Sequence, residues 1–294
     1  MLARRIVFYA VEDLDPETPF DIEAALDPIN DLEERVWVVS DHGLLMAVIV
    51  DEIGEGDEPS CFRFLRIRDD RPYIIGPDRE PELVEIEQDY RVTDFTYAML
   101  WPDGFLGAIS SRDAPVIKYL STYFSKTTRQ RCRIENIYAS DVVQRFKKLK
   151  KRLTKATVKI GTAEAEQMEA DEELKGFKAF FVAGRESEAV TVNVELSVDR
   201  KRDRFLHKSV AAGVGRLATY GDLVDALVIV GEDAQGRRQE LDMKRQRIFR
   251  RVLYEQTDTN DMMYARIASA RREVEDPDEG GKPLNRAAKM SSLA

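Results

Sequence analysis

The stretch Asp94–Trp101, Pro102-Asp103-Gly104, Phe105–Ile109 constrains the fold more than any other part of the chain. Two runs rich in apolar, aromatic and β-branched residues, parted by a proline–aspartate–glycine turn, predict an antiparallel hairpin. The same signal recurs earlier, where Val36–Ser40 and Leu44–Val50 are joined by Ser40-Asp41-His42-Gly43. Arg4–Val11 and Cys61–Ile67 read as further strands and Asp21–Leu26 as a short helix. Gly76-Pro77-Asp78-Arg79-Glu80-Pro81 is loop chemistry. Behind the second hairpin, Ala114–Phe124 predicts a helix with Pro115 in its first turn, and Arg131–Tyr138 another strand.

From residue 139 the pattern changes period. Val142, Phe146, Leu149 and Leu153 are spaced four, three and four, which predicts a helix from Ser140 or Asp141 to about Leu153. A short strand at Thr157–Ile160 and an acidic helix from Ala163 to Leu174, ended by Gly176, are expected next. Val190, Val192, Val194, Leu196 and Val198 alternate with polar residues, the period of a half-buried strand. Phe205–Tyr220 reads as a helix, and Ala226–Val230 and Arg238–Phe249 as strands across the Gly231–Gly236 loop. A last helix, Thr259–Val274, sets Met263, Ile267, Ala270 and Val274 on one side, and this helix is the expected dimer surface. The layout predicts an α+β protein. An antiparallel β-rich half (1–138) precedes a half with helices packed on a mixed sheet (139–275), followed by a disordered polar tail (276–294).

Charge is distributed unevenly. The formal net charge is −9, yet Lys126–Lys159 holds 12 Lys or Arg against Glu135 and Asp141 alone, a local balance of +10. A concentrated positive field attracts an anionic partner while the rest of the chain keeps the protein soluble. Arg145, Lys147, Lys148, Lys150, Lys151 and Arg152 lie opposite the apolar stripe of one helix, spaced to neutralise phosphates. Lys155 and a cluster at Arg245, Arg247, Arg250 and Arg251 are secondary candidates, and Arg200-Lys201-Arg202 with Arg204 adds a third group. The ordinary reading of such a run is a solvated face balanced by acids, here those of Glu164–Glu173. No aromatics interleave the helix lysines, so backbone contacts with little sequence preference are expected.

Other chemistry has little support in the residues. His42 and His207 are too few for a histidine metal site, and neither Cys61 nor Cys132 sits in a ligand or nucleophile pattern. No phosphate-loop signature occurs, and Gly213-Val214-Gly215 is too short for a dinucleotide fingerprint. Glu173-Leu174-Lys175 has the E-x-K spelling of metal-dependent nucleases but falls in a helical stretch, and it defines one rival reading. A second rival is a protein-interaction subunit whose basic helix docks an acidic partner. Neither cofactor nor metal is expected. With two cysteines, no signal peptide and no apolar run near the roughly 18 residues that span a bilayer, the expected setting is cytoplasmic, without membrane insertion.

The order of these elements across residues 4–255 resembles that of the RexA-like phage-exclusion proteins and their bacterial relatives. The resemblance rests on several features together. Two are the hairpins at 36–50 and at 95–109, the latter with its following helix. The others are the run of Arg131–Tyr138, Asp141–Leu153 and Thr157–Ile160, and the Glu232–Gly236 hairpin with its charged strand. The resemblance implies a non-enzymatic, DNA-binding, dimer-forming protein in antiviral defence or phage exclusion, and with the basic helix the expected ligand is double-stranded DNA. It carries over no active-site residue.

Overall fold

The computed structural model describes residues 2–14, 18–31, 38–39, 45–68, 73–75, 81–83, 92–110, 117, 119–138, 140–162, 165, 171–198, 205–220, 224–233, 235–255 and 257–275. Two compact units interleave along the chain. The first comprises residues 1–6, 11–133 and 250–269, the second residues 7–10, 134–249 and 270–294. The expectations for the 40–43 turn with His42, the 76–80 loop, Arg200–Arg204 and the 276–294 tail lie outside the described residues.

The first half of the chain is rich in strands: β1 (Leu2–Asp13), β2 (Val38–Val39), β3 (Leu45–Glu52), β4 (Ser60–Arg68), β5 (Tyr73–Ile75), β6 (Pro81–Leu83), β7 (Val92–Leu100), β8 (Phe105–Ser110) and β9 (Cys132–Asn136). Two helices join them, α1 (Ile22–Asn30) and α2 (Tyr119–Thr127). The second half holds α3 (Ser140–Lys150), β10 (Leu153–Gly161), α4 (Lys175–Glu186), β11 (Thr191–Ser197), α5 (Lys208–Thr219), β12 (Val224–Glu232), β13 (Arg238–Asp242), β14 (Phe249–Tyr254) and α6 (Asn260–Glu275). The large sheet runs β14-β1-β8-β7-β4-β3-β2, with β9 also paired to β1, and β5 pairs with β6 alone.

In the first unit the predicted β7–β8 hairpin is present, with Thr96 opposite Ser110 and Leu100 opposite Leu106. Its turn closes through Trp101 N–H to Phe105 O and Gly104 N–H to Trp101 O, both 2.9 Å. Gly104 is required there. Its φ is +76°, and a Cβ would stand 2.4 Å from the Val11 carbonyl oxygen. Helix α2 covers one face of the sheet: Tyr123 meets Phe64 edge-on at 6.2 Å, and Phe124 meets Phe62 at 6.5 Å. Elsewhere in the unit, Asp51 on β3 accepts from Arg63 on β4 (2.6 and 2.9 Å) and from the Tyr264 hydroxyl on α6. Tyr97 on β7 donates to Asn260 at the start of the same helix.

The second unit contains the four-stranded sheet β11-β10-β12-β13. Every pairing in it is antiparallel, so the expected mixed sheet is corrected. The helices between its strands made a mixed sheet look natural from sequence order alone. The strand order places β10 between β11 and β12, so these two run in the same sense but are never neighbours, and every hydrogen-bonded pair is antiparallel. Along β11 burial alternates, with Val192 and Val194 inside, while Val190 stands 88% exposed just ahead of the strand.

Several boundaries differ from the sequence expectation for physical reasons. Helix α3 stops at Lys150, and Leu153 opens β10 while remaining buried. A side chain can complete an apolar stripe and still belong to the next element. Gly176 does not end a helix. It lies in the first turn of α4, whose Phe177 and Phe181 are fully buried and stacked with centroids 6.3 Å apart. The expected strand Arg238–Phe249 is instead β13, a 3-10 turn at Met243–Gln246 capped by Asp242, and the start of β14. Helix α5 begins at Lys208 rather than Phe205, because His207 caps it: its Nδ1 accepts from Ser209 N–H at 3.3 Å. The stripe Met263, Ile267, Ala270 and Val274 on α6 is buried within the chain, while Met262 on the same helix is exposed.

Candidate nucleic-acid interface

The candidate site lies wholly in the second unit and starts from α3. Val142, Val143, Phe146 and Leu149 bury one side of this helix, and Arg145, Lys147, Lys148 and Lys150 lie among the remaining positions. Lys147, Lys148 and Lys151 are exposed, and Arg145 and Lys150 are half-buried. Helix α3 can approach β12 closely because position 231 is glycine: a Cβ there would lie 3.0 Å from the Arg152 carbonyl oxygen and 3.3 Å from Leu149. A hydrogen bond from Glu232 N–H to the same Arg152 carbonyl (3.1 Å) ties the helix end to the strand.

A cleft of about 1370 Å³ opens beside this helix end. All six basic residues singled out between Arg145 and Arg152 line it. Two other elements complete its walls. The start of α5 contributes Lys208, and the β12–β13 turn with the start of β13 contributes Gln235, Arg237 and Gln239. Eight cations thus surround one cavity, and Asp233 is the single acid among the described lining residues.

The carboxylate of Asp233 is already engaged. It accepts from the backbone N–H groups of Gln235 and Arg237 (2.9 Å each), from Arg237 Nε (2.8 Å) and from Gln239 Nε2 (3.2 Å). Burial pushes this carboxyl upward, but the hydrogen bonds and charge of Arg237 outweigh burial and hold it below the usual aspartate range. Arg152 is likewise anchored. Its guanidinium donates to Glu232 (3.2 Å) and to the Asp233 carbonyl (3.3 Å) and lies over the Phe205 ring at 5.1 Å. Arg152 and Arg237 therefore stiffen the cleft wall, while the exposed lysines of α3 supply reach.

The acids expected to balance α3 point elsewhere where they are described. Asp171 binds Arg216 Nε at 2.5 Å and the Tyr220 hydroxyl at 2.9 Å, and Glu172 pairs with Lys175. This engages the ammonium of the E-x-K triplet with Glu172. The Asp171–Arg216–Tyr220 cluster reaches Glu135, 2% exposed, through Arg216 Nη1 at 3.9 Å, and burial raises the Tyr220 hydroxyl to about 12. It fixes α5, and with it the position of Lys208.

The secondary candidates do not join the cleft. Lys155 pairs with Glu195 at 2.9 Å across β10 and β11. Arg245 pairs with Asp242 at 3.1 Å, and Arg247 donates to Asn136. Arg250 and Arg251 lie on β14 within the first unit, so the cluster at 245–251 is divided between units. Sequence reasoning missed Lys208, Gln235, Arg237 and Gln239. The only signal was the basic step after the Glu232–Gly236 turn, and nothing in the chain order connects that turn to α3.

Both cysteines are buried, and burial is the first cause raising each thiol to about 12. Among the described residues no helix is long and apolar enough to cross a membrane. Compared with known protein families, curated proteins and solved structures, the chain matches none.

Proposed function

We propose that the second unit binds double-stranded DNA through its phosphates, with no chemical conversion of the DNA. One observation carries the reading: a single cleft gathers eight cations from three separate elements, against one acid whose oxygens are already hydrogen-bonded. A basic helix alone is commonly a solvated face. Convergence of independent segments on one cavity is what a polyanion requires, because every released counterion adds to affinity. The positive end of the α5 dipole adds to the same field. It contributes no spare hydrogen bonds at Ser209, Val210 or Ala211, whose N–H groups already bind His207. A role in phage exclusion or antiviral defence rests on the layout resemblance alone.

The test is binding of a labelled 30-base-pair duplex across a salt series. Five neutralised phosphates give a log–log slope of about −4.5. The variant Lys147→Glu/Lys148→Glu/Lys151→Glu changes only exposed side chains, so it should fold normally and lose most of that slope. The DNA should remain intact in Mg²⁺. A folded wild-type protein with no duplex affinity at low salt overturns the reading in favour of an acidic protein partner.

A further inference from the structure

We infer that the β12–β13 turn is a base-reading element that enters the major groove of B-form DNA, with Arg237 and Gln235 at the base edges. The inference rests on the phosphate-binding reading above and assigns to the same site a selectivity for DNA over duplex RNA.

The turn is itself a wall of the basic cleft. A phosphodiester ridge seated in the cleft is bordered by a groove, and the element forming the wall must lie in that groove. Only the short turn beyond the Glu232–Arg238 pair projects, because β12 is paired on both sides up to Gly231, and a major groove about 12 Å wide admits an element narrower than a two-stranded ribbon. The tip is also exposed: Gln235, Gly236, Arg237 and Arg238 all face solvent, with the Arg237 side chain 74% accessible.

Exposure alone would describe any hairpin tip. This one carries internal hydrogen bonds, which lower the entropy lost when an exposed side chain is fixed on a partner. Asp233 accepts from two backbone amides and the Arg237 side chain of the turn and from Gln239 on β13. Gly236 supplies the positive φ of 75°. Asp233 N–H donates to Arg237 O and Gly236 N–H to Asp233 O, both 3.0 Å. Arg237 is oriented through Nε, and its Nη2 reaches the Gln235 side-chain oxygen at 3.4 Å. The guanidinium fork is thus presented outward beside an amide. Arginine pairs with O6 and N7 of guanine, and glutamine with N6 and N7 of adenine, so this pair has the chemistry of direct readout. Phosphate-only contact has no use for two amides fixed at the rim. An A-form RNA duplex has a deep, narrow major groove that side chains cannot read. RNA could occupy the cleft but would not engage the turn.

The experiment compares DNA and RNA duplexes of one guanine-containing sequence, titrated with the full chain at two salt concentrations. The proteins are wild type, Arg237→Lys and Gln235→Ala/Arg237→Ala. Arg237→Lys keeps the charge and the turn's ion pair while removing the fork. The wild type should bind DNA at least tenfold more tightly than RNA. Both variants should lose about tenfold on DNA and little on RNA, with a salt slope changed by less than about one unit. Equal wild-type affinity for the two duplexes, or an equal loss on both in the variants, overturns the groove assignment and leaves phosphate binding standing. Absence of wild-type binding to either duplex overturns both.

Discussion

At the scale of single residues, hydrogen-bond satisfaction and steric room decide most of what this protein tolerates. Arg216 stands against Asp171 at 2.5 Å and Glu135 at 3.9 Å, and both carboxylates are largely buried. Arg216→Ala should therefore cost about 3–5 kcal/mol, because it strands two acids in the interior. Denaturant unfolding measures this, and a loss below about 1 kcal/mol would show the cluster to be solvated. Gly104→Ala combines a left-handed φ with a Cβ 2.4 Å from a carbonyl oxygen. It should destabilise the protein by at least about 1–3 kcal/mol, and a neutral result would mean the turn relaxes. Asp233 makes stability depend on pH with a definite sign. Its carboxyl is held below the ordinary value of about 4, so its contribution is complete above that pH. The contribution disappears as pH falls through the lowered value. The melting-temperature gap between wild type and Asp233→Asn should be constant near neutrality and close in acid. A gap unchanged at pH 3 contradicts this.

At the scale of elements, the segments with a period of their own were legible and the rest depended on neighbours. The β7–β8 hairpin, β11 and α6 were readable because turn chemistry or a periodic stripe is a local property. Helix α4 was missed because Gly176 was read as a stop, although Phe177 and Phe181 already stood four apart. Burial of both rings offsets the helical cost of one glycine, roughly 1 kcal/mol. Phe177→Ala or Phe181→Ala should each cost about 3–5 kcal/mol, whereas Phe180→Ser, at a 40% exposed position, should cost little. Thermal unfolding of the three variants checks this, and equal losses would mean that the helix buries a different face. In the candidate site α3 was legible from its charges, while the cleft it lines was not.

At the scale of the whole molecule, the negative net charge and the basic cleft are compatible because they act over different distances. Screening at physiological salt limits exposed charges to about 8 Å, so a ligand in the cleft feels the eight nearby cations more than the distant acids. Binding should weaken steeply with salt, and neutralising acids that do not line the cleft should change affinity less than one α3 lysine does. Duplex titrations of Glu186→Gln/Glu188→Gln, exposed residues of the second unit outside the cleft lining, against Lys148→Gln compare the two directly. A larger effect of the acidic pair would show that global charge, not the cleft, governs association.

By itself the sequence determined the α+β class, the two halves of differing period, the Pro102–Gly104 turn and the basic face of α3. Each follows from residues within a dozen positions of one another, whose sterics and periodicity act locally. Tertiary structure alone decided that the four-stranded sheet is antiparallel throughout and that the α6 stripe is buried within the chain. It also decided that Lys155 and Arg245 are paired with acids, and that Lys208 and Arg237 join Arg145–Arg152 around one cavity. These outcomes depend on which surfaces meet. Residues 145 and 237 are brought to one cavity by the pairing of β10, β12 and β13, a long-range choice that no local pattern encodes.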